Sequence, residues 1–206
     1  LALGSNVTVS NATGVTLTNG NISLGTFNLT NTNSAGTLGT GGTNSMIVAT
    51  GSGQAFLTMP TGASAKTFPI GDGVNFTPAT LTFTAYDAFA TSRIGARVTA
   101  NVHPSYDNSG AQTNYLNRFW TFTTSGASTY TYASAFTYVP ADINGTESTI
   151  KLNRWSGTAW TEDATSAAAS NVLTSTTGLT NVSYPLSGDY TGRKEIAATE
   201  EDLESA

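Results

Sequence analysis

The sequence predicts an all-β protein: a short N-terminal β-helix-like element, then a β-sandwich, then a short C-terminal tail. Three observations carry this. Apolar and polar residues alternate with period two along most of the chain, which is the pattern of strands with one buried face. Thr occurs 38 times and Gly 21 times in 206 residues, and Thr suits the half-buried surface of a strand while Gly, Asn and Ser suit turns. Few segments carry the 3.6-residue periodicity of a helix.

The first element covers residues 1–65. It pairs Val7 with Val9, Val15 with Leu17, Ile22 with Leu24 and Phe27 with Leu29, each pair split by one polar residue. Asn11, Gly14, Asn19-Gly20 and Gly25 lie between the pairs, and these residues turn the chain at little cost. A corner every seven or eight residues makes a three-sided coil of roughly 20 to 25 residues, the period of a parallel solenoid. A string of hairpins in an ordinary sandwich is the alternative that so brief a repeat leaves open. A coil stack of this kind is expected to have two open ends, each with unpaired backbone groups that another chain could complete.

The second element, residues 66–192, begins at the first charged residue, Lys66. Leu81, Phe83 and Ala85 alternate, as do Ile94 through Val102 and Tyr130 through Tyr138. Turn signals at Gly71-Asp72-Gly73, Ser105 to Gly110, Ser125-Gly126, Asn144-Gly145 and Ser156-Gly157 divide this region into seven to nine strands, a number that suits a two-layer sandwich. Trp120, Phe122, Tyr130 and Tyr132 read as interior aromatics. The last segment, residues 193–206, holds seven of the 21 charges; it reads as a linker, a terminal helix or a tail, because so short and polar a helix is marginal alone.

Composition narrows the function. Net charge is −5 and the eight Lys and Arg are scattered, so no basic patch is present to hold nucleic acid. No run of 18 apolar residues is present to span a bilayer as a helix, and no basic amphipathic stretch suggests membrane insertion. There is no Cys, which removes disulfides, thiolate metal sites and a Cys nucleophile. A Thr-rich, charge-poor chain of this kind is expected outside the cell or on its surface. A start at Leu1 without Met predicts a processed product or an excised piece of something longer.

Catalysis is not expected. His103 is the only histidine, Asp107 is its nearest acidic neighbour in sequence, and no strained Gly-x-Ser-x-Gly turn accompanies them; it reads as an ordinary surface histidine. Asp142, Glu147, Glu162 and Asp163 are the only central carboxylates that glycosidase chemistry could draw on. Asp142, Asn144 and Glu147 place oxygen ligands on a glycine turn and form a candidate Ca²⁺ loop, although Asp and Asn at these positions also make ordinary turns. Asp72 with Asn75, and Asp107 with Asn108, are weaker forms of the same pattern. No other cofactor is expected. Trp155 and Trp160 flank a four-residue turn and so face each other across a hairpin, as a candidate carbohydrate-stacking pair or as packing.

The passages FPIGDGVNFTPATLTF, NVHPSYDNSGAQTNYLNRFWTF, TYVPADINGTESTIKLNRWSGTAW and LSGDYTGR resemble modules of large surface proteins of Bacteroidetes exported by the type IX route. The segment LTNGNISLGTFNLT is similar to the short β-helical element that often precedes them. The resemblance covers most of residues 5–192. It implies a secreted or surface-exposed, adhesin-like structural region, commonly followed by a C-terminal sorting domain. Expected partners are other copies or modules of the same surface protein, a glycan or a host surface. A filament subunit assembled by strand complementation and a carbohydrate-binding module are the alternatives.

Overall fold

The computed structural model describes residues 1–106 and 113–194. The strands are β1 (Val7–Val9), β2 (Ile22–Ser23), β3 (Leu29–Asn31), β4 (Ile47–Val48), β5 (Ala55–Thr58), β6 (Ser64–Phe68), β7 (Ile70–Gly71) and β8 (Ala79–Thr99). They continue with β9 (Tyr115–Thr137), β10 (Ile143–Asn144), β11 (Lys151–Trp155), β12 (Trp160–Asp163), β13 (Ala167–Ala169), β14 (Val172–Thr174), β15 (Leu179–Thr180) and β16 (Gly188–Arg193). The only helical pieces among the described residues are two 3₁₀ turns, Pro140–Asp142 and Glu147–Thr149. The all-β expectation holds.

The N-terminal pairs form a coil stack. β1, β3 and β5 run parallel, with Val7 beside Leu29 and Leu29 beside Ala55. β2, β4 and β7 form a second parallel ladder in which Ile22, Ile47 and Ile70 are neighbours. Leu24, Leu29, Ile47, Ala55 and Ile70 fill the column between these two sides and are buried. Parallel pairing of successive segments separates a coil from a string of hairpins, which would pair antiparallel.

Among the described residues only one end of this stack is open. At the far end β5 pairs antiparallel with β8, Ala55 opposite Ala96 and Leu57 opposite Ile94, and Thr77 N–H donates to Ile70 O at 3.0 Å. The expectation of two open ends is corrected here. The last coil spends its outward backbone groups on the chain that follows, so the coil and the sandwich share one continuous sheet.

The sandwich-like part is built from two very long strands. β8 and β9 have 21 and 23 residues and pair antiparallel along their length. Their first stretch of pairing (Ala79 with Phe136 to Tyr86 with Tyr130) lies beside β6, β14 and β15. Their second (Arg93 with Ser125 to Thr99 with Phe119) lies between β5 and β16, followed by β11 and β12. The turn expected at Ser125-Gly126 is instead an irregularity inside β9. Gly126 takes a positive φ of 74°, and its carbonyl accepts the Ser92 hydroxyl. The sequence signal for a turn was a signal for a bend: a left-handed glycine opposite extra residues redirects a strand without ending it.

The bend brings the two stretches face to face. Phe136 of the first packs on Trp120 and Phe122 of the second and on Tyr190 of the adjoining β16, with ring centroids 5.0, 5.9 and 5.5 Å apart. Tyr132 spans the same interface, its hydroxyl 3.1 Å from that of Tyr190 and donating to Tyr184 O at 3.0 Å. Trp120, Phe122, Tyr130 and Tyr132 are all buried, as expected for interior aromatics. Arg193, taken from sequence as the start of the tail, is the last residue of β16, and Lys194 N–H donates to Asn114 O at 2.9 Å. Residues 195–206, and with them the rest of the tail, lie outside the described residues.

Candidate functional site

Two surfaces stand out: the open end of the coil stack, and the outward face of the sheet around His103. At the open end, Asn and Thr side chains tie each coil to the next by a repeated rule. Asn6 Oδ1 accepts the Asn28 N–H at 2.9 Å, and Asn28 Oδ1 accepts the Gln54 N–H at 2.9 Å, over separations of 22 and 26 residues. Thr32 Oγ1 donates to Val9 O at 3.2 Å and Thr58 Oγ1 donates to Asn31 O at 2.9 Å. An amide or hydroxyl in this position satisfies a backbone group that the corner removes from the ladder.

β1 is the edge that this rule leaves uncovered. Val7 N–H donates to Asn28 O and Val9 O accepts Thr32 N–H, both bonds directed at β3. Backbone groups alternate in direction along a strand, so the N–H and C=O of Thr8 face away from the sheet. Thr8 is exposed. No charged side chain occurs before Lys66, so this edge lacks the Lys or Glu by which sheets commonly discourage pairing.

On the outward face, the register sets five residues in one row across five strands: Arg97, Thr121, Asp189, Trp155 and Trp160. The chain leaving β8 folds back over this row and places His103 against it. His103 was expected at the surface. It is 4% exposed, enclosed by Phe119 and Trp160 at centroid distances of 4.9 Å each and by Trp155 at 5.9 Å.

The ring's hydrogen bonds assign its proton. Nδ1 accepts the Ser105 N–H at 3.1 Å, so Nε2 carries the hydrogen and donates to Asp189 Oδ2 at 3.1 Å. Thr121 Oγ1 donates to the other carboxylate oxygen at 2.6 Å. Burial pushes the Asp189 carboxyl up, but the hydrogen bonds from His103 and Thr121 and the nearby Arg97 outweigh it and leave it below the usual value. Both imidazole nitrogens are engaged, so in this arrangement the ring has no free lone pair with which to take a proton from a nucleophile. Asp107, the carboxylate placed beside His103 by sequence, lies outside the described residues together with Asn108.

Trp155 and Trp160 do face each other across the hairpin, with ring centroids 5.2 Å apart and planes at 51°. Both are partly exposed. Trp160 is also committed within the protein: its Nε1–H donates to Ser105 O at 3.1 Å, and the Arg193 guanidinium sits 4.9 Å from its ring centroid. Part of the stacking surface is therefore taken by a cation–π contact.

Of the candidate Ca²⁺ residues, Asp142 and Glu147 are engaged by protein donors. Asp142 binds Arg118 through two bonds, Nε to Oδ2 at 2.7 Å and Nη2 to Oδ1 at 3.2 Å, and accepts the Val139 N–H at 3.0 Å. Glu147 Oε1 accepts the Tyr138 hydroxyl at 2.5 Å and the Asn171 N–H at 2.8 Å, and the Tyr138 bond holds its carboxyl below the usual value. The Asn144 side-chain nitrogen is buried without a partner. Asp72 accepts from Val74, Asn75 and Arg118. Among the described residues no three His, Asp or Glu side chains converge as metal ligands would. Of the other central carboxylates, Asp163 accepts from the backbone and hydroxyl of Thr176, both at 2.6 Å, and Glu162 lies opposite Asn153 on β12.

Sequence reasoning missed the His103–Asp189 pair and the Arg118 network. Their members are 86, 46 and 24 residues apart, and no local pattern links such positions. Comparison with family models, curated proteins and solved structures finds no match to this chain.

Proposed function

We propose that this chain is a non-enzymatic structural and adhesive module of a secreted or cell-surface bacterial protein, joined through the β1 edge to a neighbouring module or another copy. The observation that carries this reading is an uncharged strand edge with outward backbone groups, on a coil stack whose other end is sealed into the sandwich. The resemblance to type IX-exported surface modules supports the same reading, as does a charge-poor, Thr-rich composition.

The edge suits strand addition, in which backbone hydrogen bonds supply affinity and side chains set register. Two copies meeting at Thr8 about a twofold axis would form a closed dimer, whereas β1 of one copy against β12 of the next would form an open filament. Thr8→Pro removes the outward N–H without touching the bonds to β3, because proline is tolerated on an edge strand. Sedimentation velocity over a range of concentrations, with electron microscopy of the same samples, tests the reading. Wild type is expected to self-associate and Thr8→Pro to remain monomeric; a wild type that is monomeric throughout would remove assembly between copies.

The carbohydrate reading draws on the partly exposed Trp155 and Trp160. A glycan array of wild type against Trp160→Ala checks it: binding that disappears in the variant favours it, and absence of binding by wild type discards it.

A further inference from the structure

Beside the coil stack, between the corner at residues 35–40 and strand β6, lies a cavity of about 400 Å³. Its lining includes Ala35, Gly36, Thr40, Leu57, Ala65 and Lys66. The volume falls within the range of small-molecule sites, and mostly apolar walls with a few polar groups are their usual lining.

Lys66 is the unusual member. It is 7% exposed, and its ammonium donates to Ser34 O at 2.7 Å and Gly36 O at 3.1 Å. An ammonium has three donors, so these two bonds leave one. None of the ion pairs among the described residues includes Lys66, and the 65 residues before it carry no acidic side chain to compensate it. A buried charge held only by carbonyl dipoles is poorly compensated.

We propose that this cavity binds a small monocarboxylate with a short apolar body, its carboxylate on the Lys66 ammonium and its body against Leu57 and Ala65. The carboxylate supplies the missing counter-charge. A dianion is disfavoured, because no second cation lines the wall. Burial already lowers the Lys66 pKa, and a bound anion acts in the opposite sense by favouring the charged amine.

The test uses benzoate as probe and benzyl alcohol as its neutral counterpart of similar shape, followed through the backbone amide NMR signals of Gly36, Gly39 and Thr67. Benzoate is expected to give saturable shifts with a dissociation constant on the order of 1–10 mM, and benzyl alcohol at least about tenfold weaker ones. Lys66→Met, which keeps most of the stem and removes the charge, is expected to lose benzoate binding. Thr40→Trp fills the cavity from an exposed position, leaves Lys66 in place and is expected to lose it as well, which decides the matter if Lys66→Met fails to fold. Absence of saturable shifts in wild type, equal binding of the alcohol, or undiminished binding by Thr40→Trp would overturn the proposal.

Discussion

Replacing Arg118 by Met tests whether one buried guanidinium holds three parts of the fold together. Arg118 is 1% exposed and joins β9 to the loop after β7 through Asp72, at 2.9 Å, and to the first 3₁₀ turn through Asp142, at 2.7 Å. Met preserves much of the stem's packing but leaves two carboxylates without their cation. Removing one partner of a buried ion pair costs about 3–5 kcal/mol, and the two aspartates should not share that cost equally. Asp72 keeps three donors from Val74 and Asn75, whereas Asp142 keeps only the Val139 N–H. Arg118→Met should therefore cost about 4 kcal/mol, and adding Asp142→Asn should recover about half of it, while adding Asp72→Asn should recover less than about 1 kcal/mol. Urea unfolding at neutral pH followed by tryptophan fluorescence measures all four proteins. In a chain of this length the single variant should melt roughly 8–16 °C below wild type. A cost below about 1 kcal/mol, or greater recovery from Asp72→Asn than from Asp142→Asn, would refute the reasoning.

Acid should act through the same network. Burial pushes the Asp72 carboxyl up, but the bonds from Asn75, Val74 and Arg118 prevail and bring it down to about 2. A depressed carboxyl contributes stability above its unfolded value and loses it as pH falls through the folded one, so denaturant midpoints should drop between about pH 4 and pH 2; midpoints flat across that window would count against the assignment. The alkaline limb has the opposite cause. Burial raises Tyr86 to about 12 and lifts Tyr132, Tyr184 and Tyr190 as well; groups neutral in the fold and ionised when unfolded make stability fall as pH rises above about 10. Spectrophotometric titration should then show phenolate appearing cooperatively with loss of β-sheet circular dichroism, not as independent smooth transitions. In the coil stack, a Cβ at Gly53 would meet Phe27 O at 2.1 Å, a clash with backbone that cannot rotate away. Gly53→Ala should destabilise by roughly 2–4 kcal/mol in urea, and a change under about 0.5 kcal/mol would mean that the coils yield readily at Gly53 and are not tightly spaced there.

The sequence by itself determined the class of structure and its local units. Alternation at Val7, Leu29 and Ile22 marked the inward side of each coil, because side-chain direction in a strand depends only on position along it. The Trp155–Trp160 hairpin was legible for the same reason: a four-residue turn leaves its flanking residues opposite each other. What only the tertiary structure decided is where distant units meet. Gly126 read as a chain reversal because a left-handed glycine serves turns and bends alike, and only the partner strand, with Ser92 opposite, selects the bend. His103 read as exposed because nothing near it in sequence foretells the row of Asp189, Trp155 and Trp160 that covers it. Asp142 read as a turn residue or a candidate cation ligand, and nothing near it in sequence foretells Arg118 of β9, which bonds both its carboxylate oxygens. A carboxylate's chemistry is set by the charge beside it in space, and pairing across tens of residues leaves no local periodicity to read.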